Sequence, residues 1–213
     1  MSKLNKITAR LCLFFISVLF LSVSASATKL PDGLLRDIKS GRISVDCEIT
    51  SYKLTPLMLA SAYNNNEAVR ALLRMGANPN RVDPHGWTAL MYALQQENSF
   101  DIVQRLLNAG SNPNIANPDS QTALILASSD GHANIVGALL DKGAKQDQVN
   151  SNNRDALFFA AKEGHIEVIK KLIAARHDNQ ETIKYVSNAI GVARHFNHME
   201  CVDILEQYRA PYL

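Results

Sequence analysis

Apolar residues recur along most of this 213-residue chain in short bursts set at one fixed distance. Thr55-Pro-Leu-Met-Leu-Ala60 returns as Thr88-Ala-Leu-Met-Tyr-Ala93, as Thr122-Ala-Leu-Ile-Leu-Ala127 and as Asp155-Ala-Leu-Phe-Phe-Ala160, at steps of 33, 34 and 33 residues. A further step of 33 reaches a weaker copy, Asn188-Ala-Ile-Gly-Val-Ala193. Each of the first four bursts opens with Thr or Asp, types that cap a helix through a side-chain oxygen, and continues with Pro or Ala at a first helical position. Leu57 and Ala60, Leu90 and Ala93, Leu124 and Ala127, Leu157 and Ala160 then fall at i and i+3 on one helical face. The small alanine lets a neighbouring helix approach closely.

A second burst keeps the same register. Val69, Leu72 and Leu73 are matched by Val103, Leu106 and Leu107, by Val136, Leu139 and Leu140, and by Ile169, Leu172 and Ile173. This spacing predicts an amphipathic helix with one apolar stripe. A glycine-led turn follows in Gly76-Ala-Asn-Pro-Asn80, Gly110-Ser-Asn-Pro-Asn114 and Gly143-Ala-Lys-Gln-Asp147. There Gly76, Gly110 and Gly143 stop the second helix, since a left-handed backbone costs glycine little. One such unit cannot bury both of its stripes; stacked units can.

Three blocks in one register, with a period near 33 and a Thr-Pro-Leu-x-x-Ala core, resemble the ankyrin repeat. The resemblance runs over roughly residues 30–208. It implies an all-α solenoid of stacked helix-turn-helix units with short β-hairpin tips. The expected division is a signal peptide at 1–27, an N-terminal capping half repeat at 28–54, central repeats at 55–187 and a C-terminal capping repeat at 188–213. Leu34, Leu35 and Ile38 fit the second helix of the half repeat. Val186 stands where a hairpin glycine is expected, and a β-branched residue at positive φ is strained. The last hairpin is therefore expected to be lost, with Glu181–Phe196 running as a longer helix. One extra residue around Glu97-Asn98-Ser99 predicts a bulge between the helices of the second repeat.

The amino terminus changes the picture of charge and compartment. Lys3, Lys6 and Arg10 precede an apolar run at 11–23, and small residues end in Ala25-Ser26-Ala27. These are the three parts of a secretory signal peptide, with cleavage expected after Ala27. The alternative is an uncleaved anchor, against which the run is shorter than the ~20 residues a spanning helix needs. Cleavage leaves no other stretch suited to stable membrane insertion. It also removes three positive charges, taking the formal net charge from +2 to −1. A near-neutral chain offers no electrostatic case for nucleic acid. No Asn-x-Ser/Thr acceptor occurs, which leans towards a bacterial source. The expected location is the periplasm or the secreted fluid. Cys47 and Cys201 lie near opposite ends of the mature chain, too far apart in a solenoid for a disulfide. Cys201 continues the core series Ile102, Ile135 and Val168, so its thiol is expected to be inert.

Candidate chemistry is sparse. His132, His165 and His198 recur at intervals of 33 residues, which invites a metal reading. Successive units lie ~10 Å apart, the spacing of packed helices, too far for shared zinc bonds of ~2.0–2.3 Å. His195 and His198 are i, i+3 and could share a metal, but no third ligand is evident. No phosphate-binding glycine loop or nucleophile elbow is present. No catalytic or metal site and no cofactor is therefore expected, and the chain does not read as an enzyme.

The resemblance implies protein binding along a concave surface made by hairpin tips and first-helix ends. Carried over position by position, the contact residues are Val82, Pro84, His85 and Trp87; Asp119 and Gln121; Asn152 and Arg154. On the first helices they are Tyr63, Gln95, Asp130 and Lys162. Tyr92 and Phe159 are the expected apolar anchors, with burial of the Phe158–Phe159 pair as the alternative. Trp87 suits either a binding hot spot or packing on the next hairpin. The implied function is a monomeric, non-catalytic adaptor or scaffold that binds another protein outside the cytoplasm. The alternative is an immunity or inhibitor protein occluding a toxin or enzyme.

Overall fold

The computed structural model describes residue 30, residues 33–175 and residues 180–212. The expected signal peptide lies outside the described residues. Among the described residues eleven α-helices follow in order: α1 Leu34–Lys39, α2 Pro56–Ala62, α3 Asn66–Arg74, α4 Ala89–Leu94, α5 Phe100–Asn108, α6 Ala123–Ser129, α7 Ala133–Asp141, α8 Ala156–Glu163, α9 Ile166–Ala174, α10 Gln180–His195 and α11 Met199–Arg209. A 3-10 turn, Ala210–Tyr212, closes the described chain.

The helices form two layers. First helices α2, α4, α6, α8 and α10 contact one another in sequence, and second helices α1, α3, α5, α7, α9 and α11 do the same. The core runs unbroken between the layers. Leu57, Leu90, Leu124 and Leu157 from the first helices are buried, as are Val69, Val103, Val136 and Ile169 from the second. Ala60, Ala93, Ala127 and Ala160 are wholly enclosed, which brings the layers close. Burying each leucine is worth about 1.5–3 kcal/mol of transfer free energy. Helices of the neighbouring units pack on these positions as well as the unit's own pair, so stacking contributes to stability alongside each unit's internal packing.

Local chemistry starts and stops each helix where the pattern requires. Thr55, Thr88, Thr122 and Asp155 accept a hydrogen bond from the backbone N–H of the third helical residue in α2, α4, α6 and α8. Gly76, Gly110 and Gly143 take φ values of 85°, 88° and 79° after the second helices. The extra residue of the second repeat is absorbed between α4 and α5, where Asn98 turns at φ 58°.

Two expectations about the hairpins meet different outcomes. The β-hairpin tips reduce to a single isolated antiparallel bridge, Val82 with Thr88, and no named strand forms among the described residues. The tips are instead held by turns. The last hairpin is absent, as the valine at position 186 implies: α10 runs 16 residues through that position, with Val186 fully buried in the core.

Candidate functional site

Each hairpin is built on one buried polar residue at its base. Asp83 is 4% exposed, and its Oδ1 accepts from the N–H groups of His85 and Trp87 at 2.9 and 2.7 Å. Its Oδ2 accepts from the Tyr92 hydroxyl at 2.7 Å. Asn117 repeats the role by accepting from the Gln121 N–H, and Asn150 accepts from those of Asn152 and Arg154. Backbone N–H groups inside a tight loop need partners, and a short Asp or Asn reaches them. Residues Gly86, Ser120 and Asn153 at the tips all take positive φ. Neighbouring tips touch. The Ser151 N–H donates to the Asp119 carbonyl at 2.9 Å, and a Cβ at Gly86 would stand 2.8 Å from Pro118.

A second set of contacts stitches the far end of the first helices. Nε2 of His165 lies 3.1 Å from the Ser129 carbonyl, and Nε2 of His198 lies 3.0 Å from that of Lys162. Each ring also presses closely on a glycine of the preceding unit. A Cβ at Gly131 would fall 2.7 Å from the His165 ring, and one at Gly164 would fall 2.6 Å from that of His198. These two histidines therefore link consecutive repeats through carbonyls. Among the described residues no three His, Cys, Asp or Glu side chains gather as a metal group.

The face between these two seams carries most of the residues expected to bind. Val82 is 48% exposed, and Pro84, His85, Asp119, Asp130 and Asn152 are also exposed. Tyr63, Gln95, Gln121, Arg154 and Lys162 are half-buried along the same face, and Tyr63 and Gln95 cap α2 and α4. Burial pushes the Tyr63 hydroxyl above the usual tyrosine range. Trp87 is half-buried with its ring 5.5 Å from that of Tyr92, so it packs within its own unit.

Tyr92 and Phe159 do not serve as exposed anchors. Both are 8% exposed. Tyr92 turns inward because its hydroxyl satisfies the buried carboxylate of Asp83. Phe159 is enclosed edge-to-face against Phe158, which is the more accessible of the pair and takes the Arg154 guanidinium over its ring at 4.8 Å.

Several structural residues escaped the sequence reading. Asp83, Asn117 and Asn150 lie 34 and 33 residues apart, so their periodicity was a usable signal. A ladder of asparagines in the glycine-led turns is the other. Asn80 donates to the Gly110 carbonyl and accepts from the Asn112 N–H at 3.0 and 2.7 Å. Asn114 does the same with Gly143 and Lys145 at 3.0 and 2.8 Å.

The stacked pairs, glycine-led turns and capped first helices are matched by a family model for ankyrin repeats (3 copies) over residues 33–117 and 95–184. The chain belongs to the ankyrin-repeat family. No curated protein matches it closely enough to count as a relative. As an ankyrin-repeat protein it is a protein-protein interaction module, and proteins of this kind are generally non-catalytic. Among the described residues no helix is long and apolar enough to cross a membrane.

Proposed function

We propose that this ankyrin-repeat protein is a non-catalytic adaptor that acts outside the cytoplasm, in the periplasm, as a monomer. The supporting observation is the contrast across each hairpin. The base is locked by a buried Asp or Asn, while the tip leaves Val82, Pro84, His85, Asp119 and Asn152 exposed. A rigid, pre-organised row of mixed apolar and polar tips loses little entropy on binding, which favours protein recognition. Export rests on the basic, apolar and small-residue order of residues 1–27.

The test has two arms. Expressed in a Gram-negative host, the full chain should appear in the periplasmic fraction with Thr28 as its first residue. An unprocessed chain confined to the cytoplasm overturns the location. A partner crosslinked in that compartment should be lost from the double variant Val82→Asp, His85→Ala, whose changes sit on exposed tips. Undiminished crosslinking overturns the assigned face.

A further inference from the structure

The face of first helices changes at its last step. In repeat register, Met58, Met91 and Ile125 occupy equivalent positions, each 1% exposed, and half-buried Phe158 comes next. The following position in that series is Gly191, inside α10. A Cβ placed there would meet nothing within 4 Å. Glycine is a poor helix former, so its place mid-helix is not a matter of propensity.

The absent side chain, next to the hairpin that α10 replaces, leaves a notch of about 460 Å³ between α8 and α10. Arg154, Phe158, Lys162, Val192, His195 and Phe196 line it. Phe196 is 43% exposed, a large apolar surface left open to solvent. The Lys162 ammonium stands 5.6 Å from its ring centre, and the His195 ring meets it edge-on at 5.0 Å. No carboxylate lines the notch. Lys162 is shared with Glu163 at 2.6 Å, whereas Arg154 pairs with no carboxylate among the described residues. The notch thus combines two cations with two accessible aromatic rings and a floor of glycine.

We propose that this notch docks an acidic–aromatic segment of a partner protein, one aromatic side chain entering over Gly191 between Phe158 and Phe196 while a flanking Asp or Glu pairs with Arg154. The charge complementarity selects the occupant: a carboxylate gains a cation that pairs with no carboxylate among the described residues, and a basic segment meets repulsion. A ring between Phe158 and Phe196 gains the edge and offset contacts that aromatic pairs favour. This rests on the reading of the chain as a protein-binding module and names the partner's chemistry at one end of it.

The probe is the capped peptide acetyl-Asp-Phe-Glu-Phe-Asp-amide, titrated into the purified nitrogen-15-labelled protein and followed by amide shifts. Saturable shifts should centre on Ser187, Gly191 and Val192. Peptides with Ala for Phe, or with Lys for the acids, should bind at least tenfold more weakly. Gly191→Leu fills the notch with a better helix former, so it should keep the melting temperature or raise it while cutting affinity at least tenfold. Arg154→Gln should weaken the acidic peptide and leave the lysine peptide bound no less tightly, since the same change relieves its repulsion. Equal affinity for all three peptides, shifts away from α8 and α10, or undiminished binding by Gly191→Leu overturns the proposal. Such a failure in protein that is still processed after Ala27 and still loses its partner through the Val82 and His85 changes would leave the adaptor reading standing.

Discussion

At the scale of single residues, the glycines separate backbone freedom from close approach. Gly131 and Gly143 both lie in the left-handed region, at φ 77° and 79°. Only Gly131 is also pressed by a neighbour, the His165 ring 2.7 Å from where a Cβ would sit; Gly143 faces open space. Gly143→Ala should therefore lose ~1–2 kcal/mol, the cost of a left-handed L-residue. Gly131→Ala should lose that and a further ~0.5–1.5 kcal/mol for forcing the ring off its rotamer. Urea denaturation of the two variants measures the difference directly, and equal losses would show the ring contact to be inconsequential. The two thiols divide in a comparable way. Cys201 is 1% exposed, and burial, aided by the charge of Glu200, raises its pKa above the ordinary thiol value. Burial raises that of Cys47 as well, but Cys47 remains partly accessible. A disulfide reagent in native buffer should modify Cys47 first, with Cys201 reacting only at the rate of unfolding. The sign of the pH effect follows. Below the ordinary thiol pKa both folded and unfolded chains keep the Cys201 proton, and its stabilising share is fully present. As pH rises past that value the unfolded chain ionises first, so the share shrinks until the folded thiol ionises too. Chemical denaturation of wild type against Cys201→Ala across the alkaline range should show a steeper loss of stability in wild type, the remainder coming from Cys47 and Tyr63, whose pKa values burial also raises.

At the scale of elements, the ladder of turns carries a share of the stacking that the apolar stripes do not. Asn114 alone makes one bond to Gly143 and one to Lys145 across the repeat boundary. Asn114→Ala should cost about 1–2 kcal/mol, two net hydrogen bonds in an exposed setting. Its heat-capacity change of unfolding should stay the same, since no apolar surface is involved; a calorimetric scan reads both. The ladder also shows why some elements were legible in the sequence and others were not. Helices were legible because their stripes and caps repeat as residue types: Thr55, Thr88, Thr122 and Asp155 mark where the first helices begin. The loss of the last hairpin was legible for the same reason, because Val186 breaks the series. What the pattern did not carry was direction. Tyr92 and Phe159 share a register position with Leu59 and Leu126, and all four are buried. The repeat register put Tyr92 on the concave side as an apolar anchor, yet a carboxylate at the hairpin base, nine residues earlier in the chain, draws it inward. Such a pair is tertiary information. The strandless tips were missed for a related reason, since Asp83, Asn117 and Asn150 hold these loops by side chains and spare them a strand ladder.

At the scale of the whole molecule, the stack behaves as a row of units coupled only to their neighbours, because first helices touch first helices and second helices touch second helices in sequence. Stability is then a sum of unit terms and interface terms. In-register excision of residues 122–154 tests this. It joins Gln121 to Asp155, so a capping residue still follows the hairpin, and α8 is brought against α4 where α6 had been. Leu157 then meets the surface that Leu124 had covered, apolar against apolar, with Ala160 in the place of Ala127. The excised chain should fold and melt in one cooperative step, since each remaining unit still has a neighbour to cover it. Its denaturant slope should fall by about a fifth, one unit's surface out of about five. Its midpoint should also drop, because one interface and one rung of the asparagine ladder disappear together: Asn114 loses Gly143 and Lys145 as partners. Two separate transitions in urea would mean that the halves on either side of the cut fold without each other. A chain that fails to fold at all would mean that residues 122–154 supply something more particular than a replaceable unit, and nearest-neighbour stacking would no longer account for the fold.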